Sequence, residues 1–299
     1  FASIQPKLLG NQKNFINDFA IPIEKKKDPQ VTENFRKILT PFVLRREKTD
    51  PKVINDLPQC FIQNVMVKLT PFQAYLYKTA LKDCLDKIPT AKKRSKGFLI
   101  IRLLAELKKI CNSPSQFLKK NAVEPDSGKA NALMELLPSL LNQKKKILIF
   151  TQYRQMGLRL QNWIEKKIGE RPEFLNGSVT LAERNKMIRR FQNDSDHRIL
   201  LISLKAGGVG LNLTAASVVI HYDLWWNPAV EQQATDRAYR IGQNKDVTVY
   251  RLICEGSFEE RIDQVLVAKR KLAENVTVRA DKWLGDLSTK ELQEFFKLI

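Results

Sequence analysis

Residues 146–152 read Lys-Ile-Leu-Ile-Phe-Thr-Gln, and this short apolar run decides the fold. Such a run is typical of a strand that helices cover on both faces. An amphipathic helix pattern follows over residues 157–168. The alternation then continues, with strands predicted at residues 173–175, 198–204, 218–223 and 247–254 and helices at residues 181–191, 230–241 and after Ser257. This order predicts an α/β fold, a parallel sheet sandwiched by helices, whose functional residues lie in loops at the carboxyl ends of the strands.

The residues before this sheet are predicted to be mainly helical. One strand is expected at residues 61–68, where apolar residues alternate with polar ones. Residues 70–73, Thr-Pro-Phe-Gln, form a capping box with proline at the first helical position, so a helix begins there. A basic loop at residues 91–97 and a second helix at residues 98–110 are predicted next.

Positive charge dominates the composition. The 299 residues include 51 Lys and Arg against 32 Asp and Glu, a formal net charge of +19, and residues 1–125 hold 24 of these basic residues but only 11 acidic ones. This excess indicates a polyanion partner, most often nucleic acid, or alternatively a lysine-rich solubilising surface.

The composition also excludes several classes of protein. The 43% hydrophobic residues exclude a disordered basic tail. No apolar run approaches the ~18 residues of a membrane span. The cysteines are far apart and the two histidines isolated, so no metal site is expected.

Two loops of the predicted sheet carry unusual residues. Residues 203–213 hold three glycines within four positions, among them Gly208, and glycines let a backbone approach a phosphate or another domain closely. A plain glycine-rich turn is the alternative, and the phosphate-loop pattern G-x-x-x-x-G-K-[ST] does not occur in the chain. The next loop holds adjacent tryptophans, Trp225 and Trp226, either of which can contact nucleic acid or pack between domains.

A third segment, residues 233–243, carries two arginines three positions apart. Arg237 and Arg240 would project from one face of the predicted helix. Guanidinium groups match phosphate oxygens, and two of them on one face can neutralise charge that develops during phosphoryl transfer. The alternatives are that Arg240 is a plain surface charge and that Arg237 pairs with Asp236 or Glu231.

Together and in this order, these segments resemble the C-terminal motor lobe of Swi/Snf-type ATPases, within helicase superfamily II. The likeness covers almost the whole chain. Its matching segments are residues 147–152 (the family's motif IV), 175–178 with 183–184, 203–213 (motif V), 226–228 and 233–243 (motif VI). The upstream residues also match. The segment that links the family's two motor lobes is similar to residues 41–46 and 56–58, and the family's helical insertion is similar to residues 69–77 and 107–114.

The resemblance implies a RecA-like parallel sheet with flanking helices, plus a mainly helical inserted subdomain. We expect residues 1–59 to link the motor lobes, 60–125 to form the helical insertion, 126–275 the RecA-like lobe and 276–299 a C-terminal helical extension. The family's phosphate loop and acidic Mg²⁺-binding box lie in an N-terminal lobe, and neither pattern is found here. The chain, which starts with Phe1, is therefore expected to be half of a DNA-dependent ATPase, inactive without that lobe.

The resemblance also implies roles on the nucleotide side. ATP and Mg²⁺ would be bound mainly by the missing N-terminal lobe. Arg237 and Arg240 would reach across the cleft as arginine fingers, which in phosphoryl-transfer enzymes contribute about 10³–10⁵ in rate. Gln233 would lie near the γ-phosphate, and Asp236 and Gly208 near the nucleotide or its coupling network.

The DNA side follows from the same resemblance. The residues expected to face the DNA backbone are Thr151, Gln152, Gly177, Ser178, Arg184, Ser203, Lys205 and Trp226, with residues 92–94 as further candidates. Hydroxyl, amide and N–H groups there would grip phosphates without reading bases, which suits a motor that steps along any sequence. The expected partners are double-stranded DNA and the N-terminal RecA-like lobe of the same protein, with no membrane, and the fragment is expected to be monomeric.

The expected function is therefore ATP-driven translocation on double-stranded DNA to remodel protein–DNA complexes. Two other hypotheses stay open: a non-catalytic DNA-binding module with a helicase-like fold, and an RNA helicase lobe, whose motif VI usually has glycine between two arginines. The protein would act in the cytoplasm, at the nucleoid, if it is prokaryotic, which we prefer, or in the nucleus if it is eukaryotic.

Overall fold

The computed structural model describes residues 11–23, 28–42, 57–89, 93–203, 210–225, 227–272 and 289–298. The chain divides into two units, Phe1–Asp56 and Leu57–Ile299. In the first unit, helix α1 (Gln12–Phe15) continues into a π-helical turn at Ile16–Ala20, and helix α2 spans Pro29–Leu39. The rings of Phe15, Phe19 and Phe35 lie 5.1–6.0 Å apart and form a small aromatic cluster within this unit.

A six-stranded parallel sheet of order β1-β6-β5-β2-β4-β3 forms the centre of the second unit. Its strands are β1 (Cys60–Val67), β2 (Ile147–Thr151), β3 (Glu173–Leu175), β4 (Ile199–Ser203), β5 (Val218–His221) and β6 (Val247–Cys254). Strands β2 and β5 are buried along their whole length, as apolar runs require. The predicted RecA-like α/β architecture is confirmed.

The helices of the second unit cover this sheet and form a helical layer beside it. They are α3 (Pro71–Lys87), α4 (Lys93–Asn112), α5 (Pro114–Leu118), α6 (Gly128–Asn142), α7 (Arg154–Ile168), α8 (Leu181–Asn193), α9 (Pro228–Thr235), α10 (Phe258–Leu272) and α11 (Thr289–Phe296). The predicted capping box at Thr70 and Gln73 is confirmed, and the same pair of hydrogen bonds joins Thr180 and Glu183. Within the described ranges, no helix is both long and apolar enough to cross a membrane.

Apolar side chains pack in three clusters. Helices α6 and α7 bury one cluster on one face of the sheet, through Leu133, Leu137, Leu160 and Trp163. Helices α8 and α9 cover the other face, where Phe191 and Ala234 pack on Leu148 and Phe150. The third cluster joins α3, α4, α10 and α11, which form the helical layer. Its members include Tyr77, Leu104, Leu107, Phe258 and Phe296. The carboxyl ends of the strands, where the DNA-side residues are predicted, therefore belong to a sheet that is covered on both faces.

Three predicted assignments differ from the structure. Helix α4 begins at Lys93, so most of the predicted basic loop at 91–97 is helical, since no proline stops the helix there. Strand β1, which we assigned to the helical insertion, pairs with β6 along its whole length and is an edge strand of the sheet. Helix α9 ends at Thr235, six residues before its predicted end.

Gly128 marks a close approach between helix α6 and the end of β1. A Cβ atom at this position would lie 2.0 Å from the backbone oxygen of Lys68. We expect Gly128→Ala to lower the free energy of unfolding by about 1–3 kcal/mol, because backbone must move to admit the methyl group. The matched control is Gly97→Ala in α4, where a Cβ meets nothing within 4 Å and helix propensity predicts a gain of up to about 1 kcal/mol. Urea unfolding of both variants measures the difference, and equal stability would contradict the prediction.

Candidate nucleotide and nucleic-acid site

The carboxyl ends of the strands bring most of the predicted DNA-side residues together. Thr151 ends β2, Ser203 ends β4, and the two are register partners. Gln152 follows β2, while Gly177 and Ser178 follow β3, the neighbour of β4. Because the strands are parallel, all five residues lie at one edge of the sheet. Three other predicted site residues lie outside the described residues: Lys205, Gly208 and Trp226.

The side chains of Thr151 and Ser203 do not face the surface, contrary to the prediction for them. Thr151 is 0% exposed and Ser203 5%. Thr151 Oγ1 donates to Asp223 Oδ2 at 2.6 Å, because a buried carboxylate must be supplied with donors. Gln152 is half-buried, and its Nε2 donates to the backbone oxygen of Leu224 at 2.7 Å. Thr151 and Ser203 therefore support the predicted DNA surface from within, whereas Gln152 stays partly accessible.

The turn after β3 is exposed. Asn176 Oδ1 accepts hydrogen bonds from Ser178 N at 3.0 Å and from Ser178 Oγ at 2.6 Å, which holds the turn in shape. A Cβ atom on Gly177 would meet nothing within 4 Å, so the backbone is open to a ligand here. Arg184 lies half-buried in the first turn of α8. Contact between these residues and DNA remains a prediction.

A buried polar cluster beneath this edge escaped sequence reasoning. Asp223 is fully buried, and its carboxylate accepts hydrogen bonds from Gln152 N at 2.9 Å and from Asn112 Nδ2 at 3.2 Å. Lys108 Nζ donates to the backbone oxygen of Leu224, the residue after Asp223. Burial raises the pKa of Asp223 and lowers the pKa of Lys108 to about 8, while the attraction between the two opposes both shifts. One sequence feature could have revealed this cluster: Lys108 lies within the apolar stripe of the helix predicted at residues 98–110.

Trp225 connects this cluster to helix α9. The Lys108 ammonium lies 6.0 Å from the centre of the Trp225 ring, a cation–π arrangement. The backbone N–H of Trp225 donates to Glu231 Oε1 at 2.8 Å, and Arg251 Nε donates to Glu231 Oε2 at 3.1 Å. Both oxygens of Glu231 therefore hold neighbouring elements in place.

The two arginines of motif VI lie in consecutive turns, not in the predicted helix. The N–H groups of Ala238 and Tyr239 donate back to the oxygen of Thr235 at 3.0 and 2.9 Å. Arg240 is exposed, whereas Arg237 is half-buried and its buried Nε has no hydrogen-bond partner among the residues that the structure describes. Burial lowers the pKa of Arg237, and the charge of Arg240 lowers it further. The joint approach of both guanidinium groups to a phosphate remains a prediction.

Buried Gln243 holds these turns against the sheet. Its Nε2 donates to the backbone oxygens of Ala216 at 2.8 Å and Ala238 at 3.0 Å. The N–H of Leu213 donates to the backbone oxygen of Arg237 at 2.9 Å. These tertiary hydrogen bonds replace the bonds that a longer α9 would have made, which explains why the predicted helix stops early. They also tie motif VI to the end of motif V.

Two further predicted nucleotide-side residues flank the arginines. Gln233 is exposed on the last turn of α9. Asp236 is half-buried, and its Oδ1 accepts a hydrogen bond from Gln232 Nε2 at 3.0 Å. Their contact with a nucleotide remains a prediction.

His221 packs beneath the turns that carry the arginines. Its Nε2 lies 3.1 Å from Thr235 Oγ1, and its ring stacks on Phe150 with the centroids 5.7 Å apart. Burial, together with the charge of Arg251, lowers the pKa of His221 to about 3. The imidazole is therefore neutral near pH 7 and acts here as a packing group.

Acid should destabilise the second unit through His221. The unfolded chain binds a proton at this residue near the ordinary pKa of 6.5 and the folded chain only near 3, so stability is lost as the pH falls from 6.5 towards 3. Between pH 7 and pH 5 this loss amounts to about 2 kcal/mol. Urea unfolding at both pH values should show a smaller loss for His221→Gln than for the wild type. An unchanged pH dependence in the variant would contradict the assignment.

Three groups that could hold a metal ion lie together at the carboxyl end of β6. The thiols of Cys111 and Cys254 and the carboxylate of Glu259 lie within 4.8 Å of one another. Glu259 already accepts hydrogen bonds from Lys129 Nζ at 2.8 Å and from Cys254 N at 3.1 Å. Burial raises the pKa of the Cys111 thiol, which disfavours the thiolate that a metal needs. The cluster is explained as a buried ion pair.

A six-stranded parallel sheet covered by helices, with the arginines of motif VI in turns held by Leu213 and Gln243, is the arrangement of a RecA-like helicase lobe. Known families agree: residues 1–116 match the SNF2-related domain, and residues 128–242 match the helicase conserved C-terminal domain. The C-terminal domain of the Sulfolobus solfataricus SWI2/SNF2 ATPase is 36% identical with a TM-score of 0.70, and the match covers 81% of this chain and 100% of that one. The chain therefore belongs to the Swi2/Snf2 family of helicase superfamily II, as its motifs predicted.

Two further similarities extend over nearly the whole chain. The Sulfolobus solfataricus SWI2/SNF2 ATPase core in complex with double-stranded DNA is 39% identical with a TM-score of 0.73, over 100% of this chain and 63% of that one. A putative ATP-dependent helicase/translocase of Bacillus subtilis, YwqA, is 42% identical over 293 residues, which are 97% of this chain and 32% of that protein. The chain thus spans about a third of the length of this curated relative.

Proposed function

We propose that the chain is the C-terminal motor half of an ATP-driven double-stranded DNA translocase that remodels protein–DNA complexes. The observation that carries the proposal is the turn of motif VI, which Leu213 and Gln243 hold while the buried Nε of Arg237 meets no hydrogen-bond partner among the described residues. Family membership supports ATP use. The likeness to a core solved with double-stranded DNA supports that polymer as the track.

The nucleotide side would work by electrostatic stabilisation. Arg237 and Arg240 would approach ATP bound, with Mg²⁺, mainly by the N-terminal lobe, and would neutralise charge that develops on the transferred phosphoryl group. The hydrogen bonds of Gln243 and Leu213 hold the turns in advance, so little reorganisation is needed when the lobes close. Gln233, Asp236 and Gly208 would complete the nucleotide contacts.

The DNA side would grip phosphates at the exposed part of the carboxyl ends of the strands. The residues that we propose for contact are Gln152, Gly177, Ser178, Arg184, Lys205 and Trp226. Thr151 and Ser203 support this surface from below instead of contacting DNA through their side chains. None of the groups proposed for contact requires a base edge, so binding would be indifferent to sequence.

The test compares polymers as activators of ATP hydrolysis. The protein containing the N-terminal lobe should hydrolyse ATP fastest with duplex DNA, more slowly with single strands and RNA, and should displace a third strand from a DNA triplex. The 299-residue chain by itself should show negligible hydrolysis. Strongest activation by RNA would instead support an RNA helicase lobe, and DNA binding without any stimulated hydrolysis would support a non-catalytic binding module.

A further inference from the structure

Helix α4 of the helical layer inserts two polar side chains beneath the sheet edge. Lys108 and Asn112 are four residues apart and so lie on one face of the helix. They are 4% and 0% exposed. Lys108 Nζ donates to the oxygen of Leu224, and Asn112 Nδ2 donates to Asp223 at 3.2 Å. Helix α4 is therefore bonded directly to residues 223–224.

Residues 223–225 also form hydrogen bonds with both halves of the proposed site. Asp223 accepts from the backbone of Gln152, which lies on the DNA side. Trp225 N donates to Glu231 on α9, the helix that carries Gln233 and leads into the turn of Arg237. Residues 223–225 are thus a junction between helix α4, the DNA side and the nucleotide side.

A charged group is a costly way to fill this space. Burial lowers the pKa of Lys108 to about 8, which measures how strongly the site disfavours the ammonium. An apolar side chain of similar length would avoid the cost of burying the ammonium, although it would also remove the charge that opposes the raised pKa of Asp223. A methionine, however, could not donate to the Leu224 oxygen or face the Trp225 ring with a positive charge.

We propose that Lys108 is a positioning residue that holds residues 223–225 and so couples DNA binding at the sheet edge to the arginines of motif VI. The inference rests on the proposed function and adds a residue of the helical layer to it. Lys108 contacts neither ATP nor DNA in this scheme. It acts through the backbone of Leu224 and the ring of Trp225.

The first test is Lys108→Met in the protein with both lobes. We expect the ratio of duplex-stimulated to DNA-free ATP hydrolysis to fall about tenfold, within the usual range of coupling between two sites. Lys108→Arg, which keeps the charge and the donors, should recover most of the ratio. The matched control is Lys109→Met, which removes the same charge about 100° further around the helix and should keep the wild-type ratio.

A double-mutant cycle separates coupling from general loss of structure. Glu231→Gln weakens the next connection, so Lys108→Met combined with Glu231→Gln should lower the stimulation ratio little more than either change alone. Effects that multiply independently would overturn the proposed path, as would a wild-type ratio in Lys108→Met. If the wild type itself shows no DNA stimulation, the proposed function fails, whereas a stimulated wild type with an insensitive Lys108 removes only this inference. Thermal unfolding confirms that each variant is folded.

Discussion

Replacing Arg237 with alanine, in the protein that contains the N-terminal lobe, is expected to lower duplex-stimulated ATP hydrolysis by about 10³-fold or more. The expected loss is large because the guanidinium group stabilises charge that exists only in the transition state. In the structure this group is preorganised: Leu213 and Gln243 hold its turn, and within the described part of the chain its Nε meets no hydrogen-bond partner. Arg240→Ala should cause a loss of the same kind.

Two measurements distinguish an arginine finger from a DNA contact. Duplex affinity of Arg237→Ala, measured by fluorescence anisotropy, should stay close to that of the wild type while turnover collapses. Arg189→Ala removes an exposed arginine from α8 and should retain normal turnover. Wild-type turnover in Arg237→Ala would disprove the assignment, and a parallel loss of affinity would move Arg237 to the DNA side.

The largest effect on stability is expected for Lys129→Met. The side chains of Lys129 and Glu259 are 0% and 2% exposed and lie 2.8 Å apart. Burial alone would lower the pKa of Lys129, but the Glu259 carboxylate outweighs it and raises that pKa. The variant leaves a buried carboxylate without its partner, which costs about 3–5 kcal/mol. Urea unfolding followed by circular dichroism measures the loss.

Two variants test that this cost comes from the unpaired charge. Lys129→Met combined with Glu259→Gln removes both charges and should regain most of the lost stability. Lys166→Met breaks an ion pair of similar length, 2.9 Å from Glu124, whose side chains are 49% and 73% exposed. It should cost about 0–1 kcal/mol, because exposed pairs are screened by solvent. Equal losses in Lys129→Met and Lys166→Met would contradict the assignment.

Short-range patterns predicted the sheet and most of its helices because each depends on neighbours in the chain. The run at residues 146–152 became β2, and the capping box at Thr70 formed with both of its hydrogen bonds. Helix α9 was predicted too long for the opposite reason. Its end depends on Gln243 and Leu213, whose bonds come from parts of the chain that only folding brings near.

The candidate site divides in the same way. Motif spacing was sufficient to single out Arg237 and Arg240 and to assign the chain to its family. It could not show that Thr151 points inward. That orientation depends on Asp223, a buried carboxylate 72 residues away that needs hydrogen-bond donors. Residues named from a family pattern can therefore support a surface without being part of it.

By itself, the sequence determined the α/β class, the capped start of α3 and the chemical identity of the arginine pair, since these follow from periodicity, capping and residue type. Only the tertiary structure decided that β1 joins the sheet, that motif VI turns instead of continuing as a helix, and that Lys108 reaches the Trp225 segment. Each of these depends on a hydrogen bond or packing contact between residues far apart in the chain. The free energy of such contacts depends on burial, which no local pattern contains.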